Sequence, residues 1–263
     1  MPNKGRPFLE VFASALHEDY RFPILEIFAF LFALGTFVFA SFGPAISPDL
    51  PSETLAYSLT SSILGAFSLF IFMILIFKNV AYGLGSDLEK GIIQTYFSYP
   101  LKRRGILTAK LLSALGIALI LLLSIQISAL YVLAPDIVSQ YLDTVLLTYA
   151  ATLGPSLLLA GIVLLVTLVL RRGGLALVVG IILFFAMSII GQMAMFIAFS
   201  TGSPLALQIL AVISPAVVLQ YYYTPGLWTP TFSEVLLYIG ASYVIVAFLF
   251  FLGYLYFSRR LDL

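Results

Sequence analysis

The sequence predicts an all-α integral membrane protein with six transmembrane helices, and three observations lead to this fold class. Of the 263 residues, 62% are hydrophobic and only 10% are charged, whereas soluble domains carry about 25% charged residues. Six apolar runs each provide the roughly 20 residues that a spanning helix needs. Basic residues occur only in or beside alternate connections between these runs, a pattern typical of cytoplasmic loops.

The six apolar runs are expected to form one membrane domain that comprises residues 1–263. Gly43-Pro44 follows the first run, Ala134-Pro135 ends the third, and Gly154-Pro155 lies inside the fourth, where a proline is expected to kink the helix. The runs are 22–42, 58–77, 105–133, 144–170, 174–199 and 233–257.

All basic residues fall on one side of this predicted membrane arrangement. Because short cytoplasmic loops retain lysine and arginine, we expect both termini in the cytoplasm and the protein in the plasma membrane. The basic residues are Lys4, Arg6, Arg21, Lys78, Lys90, Lys102, Arg103, Arg104, Lys110, Arg171, Arg172, Arg259 and Arg260. The other three connections carry only acids, which are Asp49, Glu53, Asp136, Asp143 and Glu234.

Residues 1–21 are expected to form an amphipathic helix before the first span. Apolar side chains recur there at helical spacing, which favours a helix lying in the plane of the membrane interface. A short cytoplasmic helix packed on a partner is the alternative. The apolar positions are Phe8, Leu9, Phe12, Leu16 and Tyr20.

The outer segment 200–232 contains an apolar stretch that could be mistaken for a seventh span. Pro215 divides residues 204–223 into two pieces of about ten residues, each too short to cross a membrane. A seventh span would also place Arg259 on the outside, against the charge rule. We therefore expect a re-entrant helical pair here, entering from the outer side.

Several function classes are excluded by residues that the sequence lacks. No lysine follows a glycine, so the chain has no nucleotide-binding P-loop. It has no cysteine, and its one histidine, His17, precedes the first run, so the spans offer no histidine ligand or base. Ionisable residues are absent from the predicted span interiors apart from Glu26 near an edge, which disfavours an ion-coupled carrier. We expect no enzyme activity, no cofactor or metal in this chain, and no nucleic-acid partner.

The cytoplasmic connection 81–104 is the most specific part of the sequence. Its acids, Asp87 and Glu89, lie on a surface that is otherwise basic. An apolar face at helical spacing follows, before Pro100 ends the pattern, and the face consists of Ile92, Ile93, Tyr96 and Phe97. This pattern predicts a short amphipathic helix that lies parallel to the membrane and is open to a cytoplasmic partner.

This connection resembles that of the permease subunits of ATP-binding-cassette exporters of the second type, the ABC-2 family. The family pattern is an acid, a glycine, an apolar helix, a proline with a following arginine, and a lysine that opens the third span. Those places are occupied by Glu89, Gly91, Pro100, Arg103 or Arg104, and Lys110. The predicted interfacial helix, six spans and re-entrant segment are similar to the family as well. The chain departs from the family at Gln94-Thr95, since many members have a threonine directly after the glycine.

The resemblance implies a function as half of an exporter. In such transporters the short helix docks into a cleft of a separate ATPase subunit, which binds the ATP and magnesium. A second permease, either an identical or a related chain, completes the pathway through the lipid bilayer. The residues implied in coupling are Asp87, Glu89, Gly91, Ile92, Ile93, Tyr96, Phe97, Pro100, Arg103 and Arg104. An ion-independent carrier or a membrane scaffold, with Glu89 as an ordinary solvated charge, is the alternative.

Candidates for lining a pathway lie on the second and fifth runs, at Phe67, Phe70, Gln192 and Phe196. Polar side chains such as Gln192 usually form hydrogen bonds between helices within a membrane, and lining a substrate path is the alternative role. Because the predicted span interiors are uncharged, we expect a neutral, apolar or amphipathic cargo rather than a small ion.

Overall fold

The computed structural model of the protein describes residues 7–42, 52–97 and 101–259, and every regular element in these ranges is a helix. The predicted breaks at Gly43-Pro44 and Pro100 lie outside the described residues. The helices are α1 Pro7–Tyr20, α2 Ile24–Phe42, α3 Ser52–Leu64, α4 Ala66–Ile76, α5 Gly85–Glu89, α6 Ile92–Tyr96, α7 Arg103–Leu111, α8 Ile117–Leu133, α9 Pro135–Gln140, α10 Leu142–Leu170, α11 Gly173–Thr201, α12 Leu205–Ile213, α13 Ala216–Tyr223 and α14 Phe232–Arg259. Two π-helical stretches, Phe77–Leu84 and Leu112–Gly116, join α4 to α5 and α7 to α8.

Five helices in the described part of the chain are long and apolar enough to cross a membrane. A sixth is obtained if α1 and α2, which are bent by 63° relative to each other, are counted as one broken span. The five are Phe67–Glu89, Arg103–Leu133, Leu142–Leu170, Gly173–Thr201 and Phe232–Arg259. The predicted all-α class is confirmed, and these are the long apolar helices of a multi-pass membrane protein.

The second predicted span differs most from the structure. A continuous helix over 58–77 is wrong, because the chain breaks at Gly65, between α3 and α4. Gly65 has φ −13° and ψ 173°, far from helical values. A Cβ at this position would lie 2.7 Å from the Ser62 carbonyl oxygen, so the bend requires a glycine. Beyond it the helix extends to Glu89, and the segment predicted as a connection over 81–104 therefore begins inside a helix.

Helix α10 forms the centre of the bundle and packs against α14, α3 and α11. Its contact with α14 is close because glycines occur on both helices. A Cβ on Gly161 would lie 3.0 Å from Leu249, and one on Gly253 would lie 3.0 Å from Leu164. Small residues of this kind let helix backbones approach in membrane proteins.

Helices α11 and α14 present most of their apolar side chains at the surface. Ile182, Phe185 and Phe248 are among the large exposed hydrophobic residues. A soluble monomer rarely exposes contiguous apolar surface of this extent. The outer faces of these helices are therefore suited to contact with lipid or with another membrane chain.

The two ends of the bundle differ in charge. At one end, α1, α5, α6 and α7 meet the end of α14, where Tyr254 Oη donates to Thr108 Oγ1 at 3.1 Å. This is the basic end, and it contains the described lysines and arginines. At the opposite end, Tyr223 Oη donates to Glu53 Oε1 at 3.1 Å and its ring stacks on that of Tyr57.

Helices α12 and α13 pack at this opposite end, against α10 and α14. Ser214 and Pro215 separate them, so the predicted break at Pro215 is observed. Neither helix is long enough to cross a membrane by itself, since they have nine and eight residues.

Candidate functional site at the basic end

A buried ion network ties the predicted coupling segment to the rest of the bundle. Lys110 Nζ on α7 lies 2.6 Å from Asp87 Oδ2 on α5 and 2.9 Å from Glu18 Oε2 on α1. Lys110 is 6% exposed and Asp87 only 2%. Because a buried charge is stable only when it is paired, this one lysine holds together three elements that are distant in sequence.

A second polar cluster surrounds Asp19 on α1. Ser113 Oγ donates to Asp19 Oδ2 at 2.5 Å, and Lys78 Nζ donates to the Asp19 backbone oxygen at 2.7 Å. Burial raises the pKa of the Asp19 carboxyl from 3.8 to about 6, since desolvation outweighs the hydrogen bond from Ser113 and the nearby lysines. This carboxyl therefore holds its proton more tightly than an exposed aspartate does.

Glu89 connects the coupling segment to the start of α11. Its Oε2 accepts a hydrogen bond from the Gly173 backbone N–H at 3.2 Å. The first N–H groups of a helix lack partners within the helix, and a carboxylate is stabilised there. A Cβ on Gly85 would lie 2.7 Å from Gly173 Cα. Helices α5 and α11 thus touch through their backbones at two glycines.

The apolar face of α6 packs inside the protein, so this face is not the side of the helix that is open to a partner. Tyr96 is almost fully buried in a cluster with Val11, Ile106 and Ala109, and Ile93 is fully buried in the main core of the bundle. The physical reason is that α1 and α7 already cover this face. The side chains exposed on this segment are instead those of Glu89, Lys90, Gln94 and Thr95.

The remaining residues of the predicted coupling set fall around this cluster. Gly91 has φ 72°, a left-handed conformation that favours glycine, and it turns the chain between α5 and α6. Ile92 and Phe97 are partly buried. The Phe97 ring packs edge to face with that of Phe257 on α14, with 6.5 Å between the ring centroids. Arg103 lies 5.0 Å above the Phe97 ring, within cation–π range, and Arg104 is exposed on α7.

Two of the four residues predicted to line a pathway share one groove. Phe70 and Gln192 border a cavity of about 400 Å³ between α4, α10, α11 and the α12–α13 pair. Its described lining contains no ionisable side chain, and Ser156 and Ser214 add hydroxyl groups. Such a lining suits an uncharged ligand with a large apolar part.

The other two predicted lining residues lie outside this groove. The centroid of the Phe67 ring lies 6.1 Å from that of Phe39 on α2, so Phe67 packs against α2 and does not border the groove. Phe196 is 74% exposed on the outer face of α11. Phe67 and Phe70 are three residues apart, so helical spacing alone predicts that they are neighbours. In the structure Phe67 packs against Phe39 on α2, whereas Phe70 lies near Phe184 on α11.

Sequence reasoning missed the partners of Lys110 and the role of Asp19. The need of Lys110 for partners could have been inferred, because this lysine precedes a long apolar run and an ionisable residue at such a position needs a partner. Candidate acids occur at several places in the chain, and only the folded arrangement selects Asp87 and Glu18. Asp19 carries no comparable signal.

Comparison with known proteins assigns no family to this chain. No protein-family model matches it, and no curated protein is significantly similar to it in sequence. What the protein does is therefore inferred from its own residues and their arrangement.

Proposed function

We propose that this chain is the membrane-spanning permease subunit of an ATP-driven exporter, and that a separate ATP-binding-cassette ATPase binds at its basic end. Support comes from the ABC-2-like pattern at Glu89, Gly91 and Lys110. It also comes from the charge difference between the two ends, because the basic end is cytoplasmic by the positive-inside rule. Six spans in the plasma membrane, cytoplasmic termini, an interfacial α1 and a re-entrant α12–α13 pair belong to the same proposal.

The observation that carries the proposal is the attachment of α5 and α6 to four other helices. Lys110 links α5 to α7 and α1 through Asp87 and Glu18. Glu89 links α5 to α11, and Phe97 contacts α14. Close-packed contacts and buried ion pairs resist separation, so a partner that displaces α5 and α6 displaces the ends of these helices too. An ATPase needs such a rigid connection to transmit its motion into the membrane.

The surface offered to the ATPase is polar. Glu89, Lys90, Gln94 and Thr95 are its exposed side chains, whereas Ile93 lies beneath them as support. Binding would thus depend on charge complementarity and hydrogen bonds, which set specificity and association rate. A substitution at Ile93 would disturb the fold of the segment as well as the contact.

The groove that contains Phe70 and Gln192 would form this chain's part of the translocation pathway. A second copy, or a related permease, would complete it. With no charged side chain among the described lining residues, the proposed cargo is neutral or amphipathic. Transporting a small ion would require charged or coordinating partners along this path.

Single cysteines test the docking surface, because the chain has no cysteine of its own. In membranes that contain the co-expressed ATPase, Thr95→Cys should cross-link to the ATPase through a short bifunctional reagent. Thr224→Cys is the matched control, since Thr224 is also an exposed threonine but lies at the end of α13. If Thr95→Cys forms no adduct while the ATPase still copurifies, the ATPase binds elsewhere. If no ATPase copurifies with the chain at all, the carrier or scaffold alternative replaces the proposal.

A further inference from the structure

A second groove lies between α1 and the π-helical stretch Phe77–Leu84, and coupling to an ATPase does not explain it. The groove has a volume of about 560 Å³. Arg21, Lys78 and Lys90 contribute three cations to its lining, and His17 borders it as well. The groove is at the basic end, beside the point where the apolar helix α2 begins.

The three cations of this groove have no ion-pair partner among the described residues. Lys78 Nζ donates to the Asp19 backbone oxygen and to Asn79 Oδ1, both at 2.7 Å and both neutral acceptors. An ammonium group has three donors, so one donor of Lys78 is left for a further partner, and the acids that attract this lysine, Asp19 and Glu18, form no ion pair with it. A partly buried charge of this kind is costly unless an anion accompanies it.

The acids that border the groove are bonded elsewhere. Glu18 pairs with Lys110 at 2.9 Å, and the Asp19 carboxyl accepts a hydrogen bond from Ser113. The charges of Asp19 and Glu18 attract Lys78 and that of Arg21 repels it, and the three cations of the described lining still exceed its two acids by one. An anion held between Arg21 and Lys78 would remove this repulsion.

The surroundings of the groove favour a lipid over a soluble anion. Directly after Arg21, Phe22 is 81% exposed and Leu25 and Ile27 are exposed as well. Tyr82, on the groove wall, is half exposed, and tyrosine is enriched at the headgroup level of membranes. A phospholipid matches this arrangement, since its phosphate binds among cations while its acyl chains cover apolar side chains.

We propose that this groove binds the phosphate group of an anionic phospholipid from the leaflet at the basic end. The headgroup would neutralise Arg21, Lys78 and Lys90, and the lipid would hold α1 against the second spanning helix. The inference requires only that the protein lies in a membrane. Because Lys90 also belongs to the surface proposed for the ATPase, the test uses the chain purified without that partner.

Native mass spectrometry of the purified full-length chain tests the site, with dioleoylphosphatidylglycerol as the anionic probe and dioleoylphosphatidylcholine as the zwitterionic one. The wild type should retain the anionic lipid in preference. The double variant Arg21→Gln, Lys90→Gln should retain roughly tenfold less of it, because each surface cation contributes to anionic-lipid binding. The matched control Lys102→Gln, Arg172→Gln removes the same charge from exposed positions at the same end and should retain the lipid as the wild type does.

A charge-preserving variant, the single substitutions and a soluble probe decide between the remaining outcomes. The swap Arg21→Lys, Lys90→Arg keeps both charges and should keep lipid retention. If the double glutamine variant fails to fold, each single substitution provides the same comparison with a smaller loss. Equal retention of the anionic lipid by the groove variant and its control would overturn the proposal, as would equal retention of the two lipids by the wild type. Inorganic phosphate that binds the same residues and displaces the lipid at similar concentration would overturn the lipid assignment.

Discussion

Lys110 is the residue on which the basic end depends most. It forms ion pairs with Asp87 and Glu18, and both it and Asp87 are almost completely buried. Removing one member of a buried ion pair leaves an uncompensated charge, whose cost exceeds the net contribution of the intact pair. The arrangement therefore makes α1, α5 and α7 mutually dependent through a single side chain.

Replacing Lys110 with methionine should destabilise the protein, because Asp87 would be left buried without a cation. We expect a loss of about 3 kcal/mol, measured as a lower thermal unfolding midpoint in detergent. The double variant Lys110→Met, Asp87→Asn should recover part of the loss, since it leaves no buried charge on α5. Lys102→Met is the control at an exposed lysine of the same end and should change little. Equal midpoints for the Lys110 and Lys102 variants would show that the ion pairs do not stabilise the fold.

Asp19 should make stability depend on pH. Its pKa is raised from 3.8 to about 6, so the folded state binds this proton more tightly than the unfolded state. Stability from this group is therefore highest below pH 3.8 and falls as the pH rises towards 6, by at most about 3 kcal/mol. In Asp19→Asn that fall should be missing. The midpoint difference between wild type and variant, followed from pH 4 to 8, should change up to about pH 6 and then level. A constant difference would show that Asp19 does not titrate in this window.

At the scale of elements, the contact between α5 and α11 is set by glycine. The backbones meet at Gly85 and Gly173, and Glu89 binds the first N–H of α11 beside them. Backbone atoms cannot move aside as the end of a flexible side chain can. The position of the coupling segment relative to α11 is therefore sensitive to a single methyl group added at one of these glycines.

Gly85→Ala should separate α5 from α11, because the new Cβ would lie 2.7 Å from Gly173 Cα. Overpacking of this kind costs about 1–3 kcal/mol, and the Glu89 hydrogen bond would be lost with it. Gly174→Ala is a matched control one residue along α11, where a Cβ meets no atom within 4 Å. Thermal unfolding should show a loss for the first variant and no loss for the second. A neutral Gly85→Ala would mean that α5 and α11 adjust freely.

At the scale of the whole molecule, the charge difference between the two ends defines an orientation. The basic end contains α5, α6 and the groove lined by Arg21, Lys78 and Lys90, and the other end contains Glu53, Tyr223 and the α12–α13 pair. Positive residues are retained on the cytoplasmic side during insertion. The same asymmetry should therefore be readable in intact cells.

Cysteines at opposite ends should react differently with a membrane-impermeant maleimide. Asp136→Cys and Thr229→Cys should be labelled from outside, whereas Thr95→Cys and Arg172→Cys should be labelled only after the membrane is permeabilised. All four positions are exposed, so burial does not explain a difference. Labelling of Thr95→Cys from outside would reverse the orientation and exclude a cytoplasmic partner at α5 and α6.

The chain should carry out no uphill transport by itself. It has no P-loop lysine with which to bind ATP. The free energy for uphill transport would therefore come from a partner that hydrolyses ATP. Purified protein in liposomes should neither hydrolyse ATP nor accumulate an amphipathic fluorescent cargo under a proton or sodium gradient. Addition of the ATPase should produce both activities. Accumulation driven by an ion gradient alone would replace the permease proposal with a carrier.

Part of the site follows from sequence and part does not. The spacing of Ile92, Ile93 and Tyr96 correctly predicts a short helix with one apolar face. It says nothing about what covers that face, and the structure shows Tyr96 packed with residues of α1 and α7 and Ile93 buried in the main core. A helical pattern fixes the direction of side chains relative to each other, whereas burial against a partner or within the chain is decided by packing.

The sequence by itself determined the all-α class, the long apolar helices and the segregation of basic residues. These follow because hydropathy and loop charge act over single segments of about 20 residues, so the run predicted over 144–170 begins only two residues inside Leu142–Leu170. Only the tertiary structure decided the break at Gly65, the inward face of α6 and the ion pairs of Lys110. Glu18 and Lys110 are 92 positions apart, and contacts at that separation depend on how all the intervening helices pack.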